Sequence, residues 1–256
     1  MFKSISSTVF ASFAAALTLG AGASAMASPI LVVAEADSHV QGDTAAVTNF
    51  GNLSLNEIKG GGSTASRRKF YIRFSTNDIT DDATAVALTL NVERIGGAIP
   101  HTLRLYGLID GYAGGNNFNG ATNGGETVND LGESWGELAL TCENAPGEDG
   151  SSFSMASTAM HGGTFLQTLA VAGDATTITF DAAALTSFIN ADTNGIVTFI
   201  VTDETAESQS SRFYSREHTP GNDADAPRLS VSVVPEPASM GLLTVGALIV
   251  LARRGR

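Results

Sequence analysis

The chain has 256 residues, room for one large or two small domains, and only 16% of them are charged while 28 are glycine. A formal net charge of −12 excludes a broadly basic nucleic-acid-binding surface, and the single cysteine, Cys142, excludes both an internal disulfide and a cysteine-rich zinc site. The four histidines, His39, His101, His161 and His218, are too scattered for metal-ligand spacing.

In chain order, residues 1–27 begin MFKS, pass through an Ala/Gly-rich apolar stretch and reach small residues at Ala-x-Ala spacing (Ala23-Ser24-Ala25 and Ala25-Met26-Ala27). This is the pattern of a secretory signal peptide, so the expectation is export. Four of the fourteen basic residues, Lys3, Arg253, Arg254 and Arg256, sit in the terminal segments. Without them and Glu236 the remainder holds 10 basic and 25 acidic residues, a net of −15.

Period-two alternation then dominates. RKFYIRFS (Arg68 to Ser75) sets Phe70, Ile72 and Phe74 against Lys69, Tyr71 and Arg73. TAVALTLNV aligns Val86, Leu88, Leu90 and Val92, and HTLRLYG aligns Leu103, Leu105 and Gly107. Residues 111–132 hold seven glycines and five asparagines and read as a surface insertion. TTITF places Ile178 and Phe180 together. Asp181 is positioned to cap a short helix over AAALTSFINA. GIVTFIVTD (Gly195 to Asp203) is apolar on both faces and reads as a central strand, and PRLSVSV aligns Leu229, Val231 and Val233. Many short strands with Gly/Asn/Asp punctuation predict an all-β fold, a jelly-roll β-sandwich, and no 20–50-residue repeat suggests a solenoid.

The last segment reads VPEPASMGLLTVGALIVLARRGR. Its uncharged run, Met240 to Ala252, is shorter than the ~17 residues a spanning helix needs, and an arginine cluster follows. The order Pro235-Glu236-Pro237, short apolar helix, basic tail closely resembles the PEP-CTERM sorting signal of Gram-negative bacteria. That resemblance implies transient membrane contact, cleavage by an exosortase-type enzyme and delivery to the outer surface or exopolysaccharide matrix. A weak permanent anchor is the alternative. The expected domain plan is a signal peptide over 1–27, a sandwich over 28–233 and a sorting signal over 234–256.

The middle of the chain resembles the DNRLRE-type domain, grouped with carbohydrate-binding module family ninety-six. The matching stretches, in order, are ADSHV (Ala36 to Val40), RRKFYIRFS (Arg67 to Ser75), ATAVALTLNV (Ala83 to Val92), ESWGELALTCENAPG (Glu133 to Gly147) and RFYSREHTPGNDADAPRLSVSV (Arg212 to Val233). Ser75 stands where that family tends to have Asp, and Cys142 replaces a second Trp. The resemblance implies a jelly-roll sandwich and polysaccharide binding, with acidic, alginate-like glycans as one precedent.

Two rows of residues suit such a ligand. Lys69, Tyr71 and Arg73 share a face by i, i+2 spacing, and Arg212, Tyr214 and Arg216 form a second row. Tyr can stack on a sugar ring while Arg grips a carboxylate or sulfate through two parallel hydrogen bonds. The competing reading is an ion-pair network joining Arg73 or Arg216 to Glu217 or Glu93. Trp135, the only tryptophan, is expected in the core rather than as a stacking platform. Structural calcium would find oxygens at Asp192 to Asn194, Glu148-Asp149 or Asp223 to Asp225, although no EF-hand spacing exists, and no other cofactor is expected. Catalytic motifs are missing, and Glu133 and Glu137 read as acids beside a turn rather than a glycosidase pair. The expected function is a non-enzymatic module that retains extracellular polysaccharide. The alternatives are a structural matrix protein without a specific sugar and, third, a polysaccharide lyase or hydrolase.

Overall fold

The computed structural model describes residues 28–42, 47–62, 66–97, 99–112, 131–142, 144–147, 163–206, 208–219 and 223–234. The signal-peptide segment, the sorting segment beyond Val234 and most of the 111–132 insertion lie outside the described residues. The strands are β1 (Ile30–Val33), β2 (Ala36–Gln41), β3 (Leu55–Ile58), β4 (Arg68–Ser75), β5 (Ala83–Arg94), β6 (His101–Leu108), β7 (Gly163–Val171), β8 (Thr177–Phe180), β9 (Ile196–Asp203), β10 (Ser211–Tyr214) and β11 (Arg228–Val233). One helix, α1 (Ala183–Asn190), lies between β8 and β9.

Two antiparallel sheets form a sandwich. The first runs β1-β11-β5-β10-β3, with β8 joining β5, and the second runs β2-β4-β9-β6-β7. The inward residues expected from alternation meet between them: Phe70, Ile72 and Phe74 of β4 and Phe199 and Val201 of β9 pack with Val86, Leu88 and Leu90 of β5 and Leu229 and Val231 of β11. Both β10 and β11 are antiparallel to β5, with Arg212 opposite Arg94 and Arg228 opposite Thr89. They therefore run the same way along it, and the described residues 215–219 and 223–227 belong to an excursion between them. Asn91 steadies that excursion by donating to the carbonyls of Ala224 and Asp225 at 3.1 and 3.3 Å.

The outer face of the second sheet is not solvent-facing where β4 and β9 run. Turns over residues 131–142 and 144–147 cover it, and a second apolar cluster forms there from Tyr71, Tyr106, Ile200, Trp135, Leu140 and Ala145. This explains why β9 is apolar on both faces: Phe199 and Val201 face the sandwich interior, and Ile200 faces the covering turns.

The helix buries Leu185 and Ile189. Asp181 does not cap it. Ala182 is the N-cap and makes no side-chain cap bond, while the Gln167 side chain of β7 accepts the N–H groups of Asp181 and Ala182 at 2.8 and 2.9 Å. Gly107 faces inward as its place in the alternation requires, and Phe188 lies so close that a Cβ there would come within 2.4 Å of the ring.

Candidate functional site

The two sequence rows have different fates. Lys69 and Tyr71 are 1% and 0% exposed, and the turns that carry Trp135 and Pro146 close over Tyr71. The Tyr71 hydroxyl donates to the Pro146 carbonyl at 3.2 Å, and its ring meets Trp135 edge-on. Arg73 pairs with Glu35 at 2.7 Å, donates to the Trp135 carbonyl and lies 5.5 Å from the Trp135 ring centre. Tyr71 and Arg73 therefore fasten the cover to the sheet, and with Lys69 buried the row offers no open platform for a sugar chain. Trp135 is buried as expected, on the outer side of the second sheet, with its indole N–H donating to Thr198 at 3.0 Å.

Beside Arg73 lies a group of acids that spacing alone did not assemble. Asp37, Glu137 and Glu217 place carboxylate oxygens within 4.8 Å of one another. The Asp37 N–H donates to Glu137 at 2.8 Å, while the Asp37 carboxylate accepts from Asn56 at 2.5 Å and from the Arg216 N–H at 2.9 Å. Arg216 pairs with Glu217 at 3.3 Å and donates to the Glu35 carbonyl. Burial pushes Asp37 up to about 7, against the lowering effect of its Arg216 hydrogen bond, and the neighbouring Glu217 and Glu137 charges add to the rise. Glu137 and Glu217 are likewise raised, chiefly by burial. Such a set of oxygens could hold a hard divalent cation or share protons internally. It joins β2 of the second sheet, the covering turns and the excursion after β10, so it clasps the two sheets.

The signal for this clasp lay in the family-like stretches. Asp37, Arg73, Glu137 and Glu217 each come from a different one of them, and only the fold brings them together.

Other acids singled out from the sequence are bound within the protein. Glu133 is buried, accepts the Gly111 N–H at 3.1 Å and the Asn194 amide, and is raised by burial. It diverges from Glu137 rather than pairing with it, and neither is simply exposed. Asp192 accepts the N–H groups of Asn194 and Gly195 at 3.2 Å and the Thr76 hydroxyl, closing its own turn. Asp225 lies 3.9 Å from His218. Glu148 and Asp149 lie outside the described residues.

The second row lies on the outer face of the first sheet. Phe213 enters the core, so Arg212 and Tyr214 point outward. Arg216 falls beyond the end of β10, at the clasp, and is not part of the same strand face. Arg212 donates to Glu57 at 2.9 Å, and Glu57 also binds Arg68 at 2.7 Å. Burial would raise Glu57, but Arg68, Ser210 and Arg212 outweigh it and hold it low. Tyr214 is half-buried, with the His218 ring 4.2 Å from its own. Along β5 the same face continues as a shallow groove lined by Leu31, Thr89, Asn91, Ala224, Arg228 and Ser230, a cavity of about 290 Å³. Hydroxyl, amide and guanidinium groups beside one leucine can hydrogen-bond sugar hydroxyls and anions.

None of the curated proteins compared with the chain matches it. Residues 233–256 match the model of the PEP-CTERM protein-sorting motif, which marks an exported protein sorted to the cell surface. Residues 29–232, nearly all of the sandwich, match the model of carbohydrate-binding module family 96, and the chain belongs to that family.

Proposed function

We propose that the protein is a non-catalytic module that holds an acidic extracellular polysaccharide at the cell envelope, after export and exosortase-type processing of its C-terminal segment. The carrying observation is that the outer face of the first sheet presents Arg212, Tyr214 and Arg228 beside the Thr89–Asn91–Ser230 groove, whereas the turns over 131–147 cover the β4 row. Membership in a carbohydrate-binding family supports a sugar ligand, and the arginines on an otherwise acidic chain support an anionic one. Lys69 and Tyr71 drop out as contact residues because of their burial, and Arg73 and Arg216 act in the clasp.

The test is binding of purified protein to a polyuronate, a sulfated galactan and a neutral glucan, each with and without calcium. Binding to an acidic chain is expected, and Arg212→Ala should weaken it about tenfold, the equivalent of one charge-assisted contact. Failure to bind either acidic glycan under both conditions overturns the reading and favours a matrix protein without a specific sugar. Release of shortened or unsaturated products would instead establish a hydrolase or lyase.

A further inference from the structure

The outer face of the first sheet carries one lateral row of charges. Arg94 of β5 lies directly opposite Arg212 of β10, and Arg212 lies directly opposite Glu57 of β3. Like charges facing each other across antiparallel strands are destabilising unless something compensates them. Glu57 cannot compensate this pair fully, because Arg68 takes one of its oxygens at 2.7 Å while Arg212 takes the other through Nε at 2.9 Å. Arg94 is exposed, and among the described residues it is in no ion pair. Its neighbour Glu93, also exposed at the irregularity where β5 meets β10, pairs with neither arginine. Two guanidinium groups thus share the Glu57 carboxylate, and the third, Arg94, stands beyond Arg212 without one, on a chain of net charge −12.

We propose that Arg94 and Arg212 form a two-guanidinium clamp for the anionic substituent of a glycan, carboxylate or sulfate, with Arg94 as the specificity-determining residue. The inference rests on the reading of this face as the glycan-binding one. Arg212 engages Glu57 through Nε, and Arg94 stands one strand away, about 4.8 Å across the sheet. Two forks at that spacing suit the oxygens of one anion or of adjacent anions. From Arg94 back to Thr89 the strand spans about 17 Å, so a chain gripped at the clamp can extend along β5 into the Thr89–Asn91–Ser230 groove. Glu57 acts here as a positioning residue, holding Arg212 without occupying Arg94.

The experiment compares wild type, Arg94→Ala, Arg94→Lys and Arg104→Ala by calorimetric titration with polygalacturonate, a sulfated galactan and dextran, with thermal melts run in parallel. Arg104 belongs to β6 in the second sheet and pairs with Glu204, so it controls for overall charge. Arg94→Ala should lose at least about tenfold in affinity for the acidic chain, Arg94→Lys should recover part of it, and Arg104→Ala should match wild type, all with unchanged melting. Wild-type affinity in Arg94→Ala overturns the clamp and leaves the glycan-binding reading standing. Equal losses in Arg94→Ala and Arg104→Ala overturn it in favour of unspecific attraction. Failure of the wild type to bind either acidic glycan removes the reading on which the clamp rests.

Discussion

Asp37 shows how a single side chain can hide its role in a sequence. It sits in ADSHV, where polar and apolar residues do not alternate, yet Ala36 to Val40 are all buried. The reason is that this strand is an edge packed on both sides, with Asp37 in the clasp and His39 stacked on Phe50 at 4.3 Å. A folded-state value near 7 against 3.8 for the ordinary group means that the folded protein binds a proton first. The contribution of Asp37 to stability therefore falls as pH rises between those values, by about 1.4 kcal/mol per pH unit while the difference in bound protons is complete. His39, lowered by burial to about 4 from 6.5, works in the opposite sense, because the unfolded chain protonates it first as pH drops. Wild-type curves mix the two, so the informative quantity is the stability of Asp37→Asn minus that of wild type. It should climb from pH 5 towards pH 7 and level off above, as measured by urea unfolding at each pH. A difference independent of pH would show that Asp37 is not protonated in the folded state.

At the scale of elements, alternation located the strands that have one wet and one dry face or lie between core layers: β4, β5, β6, β8, β9 and β11. It missed β7, GTFLQTLAV, where Leu166 and Val171 are buried but five positions apart, out of step with an alternating pattern. It also gave the wrong partner to the outward face of β4. Period two says that Lys69, Tyr71 and Arg73 share a face, and they do, but it cannot say that residues 131–147 fold over that face. What could have warned of it is β9, since a second greasy face needs a second cover. The cover hangs on Trp135, which meets Tyr71 and Arg73 and donates to Thr198. Asn49 adds two bonds of 2.7 Å to the carbonyls of Glu137 and Leu140. Trp135→Ala should cost about 3–5 kcal/mol, the usual range for a buried aromatic residue cut back to alanine. Chemical unfolding would measure that loss. A cost below about 1 kcal/mol would mean that the turns are held without it. Tyr71→Phe, which removes only the hydroxyl bond to Pro146, should cost about 1 kcal/mol.

For the whole molecule, charge balance sets two salt responses of opposite sign. Between the terminal segments, 25 acids face 10 bases, so the folded sandwich concentrates negative charge and repels itself. Several acids are already engaged with protein partners, as with Arg73–Glu35, Arg104–Glu204 and the Glu57 pairs, and the remaining excess is screened as ions are added. Raising salt from about 10 mM to about 150 mM shortens the screening length from roughly 30 Å to roughly 8 Å, so long-range repulsion is lost while the closest pairs persist. The melting temperature should therefore rise over that interval. Binding of an acidic glycan should weaken over the same interval, because its attraction to Arg212 and its neighbours is exposed to solvent and equally screened. Both quantities can be followed on one protein preparation, by thermal melts and by titration with polygalacturonate. If melting fell with salt, attraction between surface ion pairs would outweigh the excess of acids. If affinity held constant, recognition would rest on hydroxyl and amide contacts in the Thr89–Asn91–Ser230 groove rather than on the arginines, and the glycan need not be acidic.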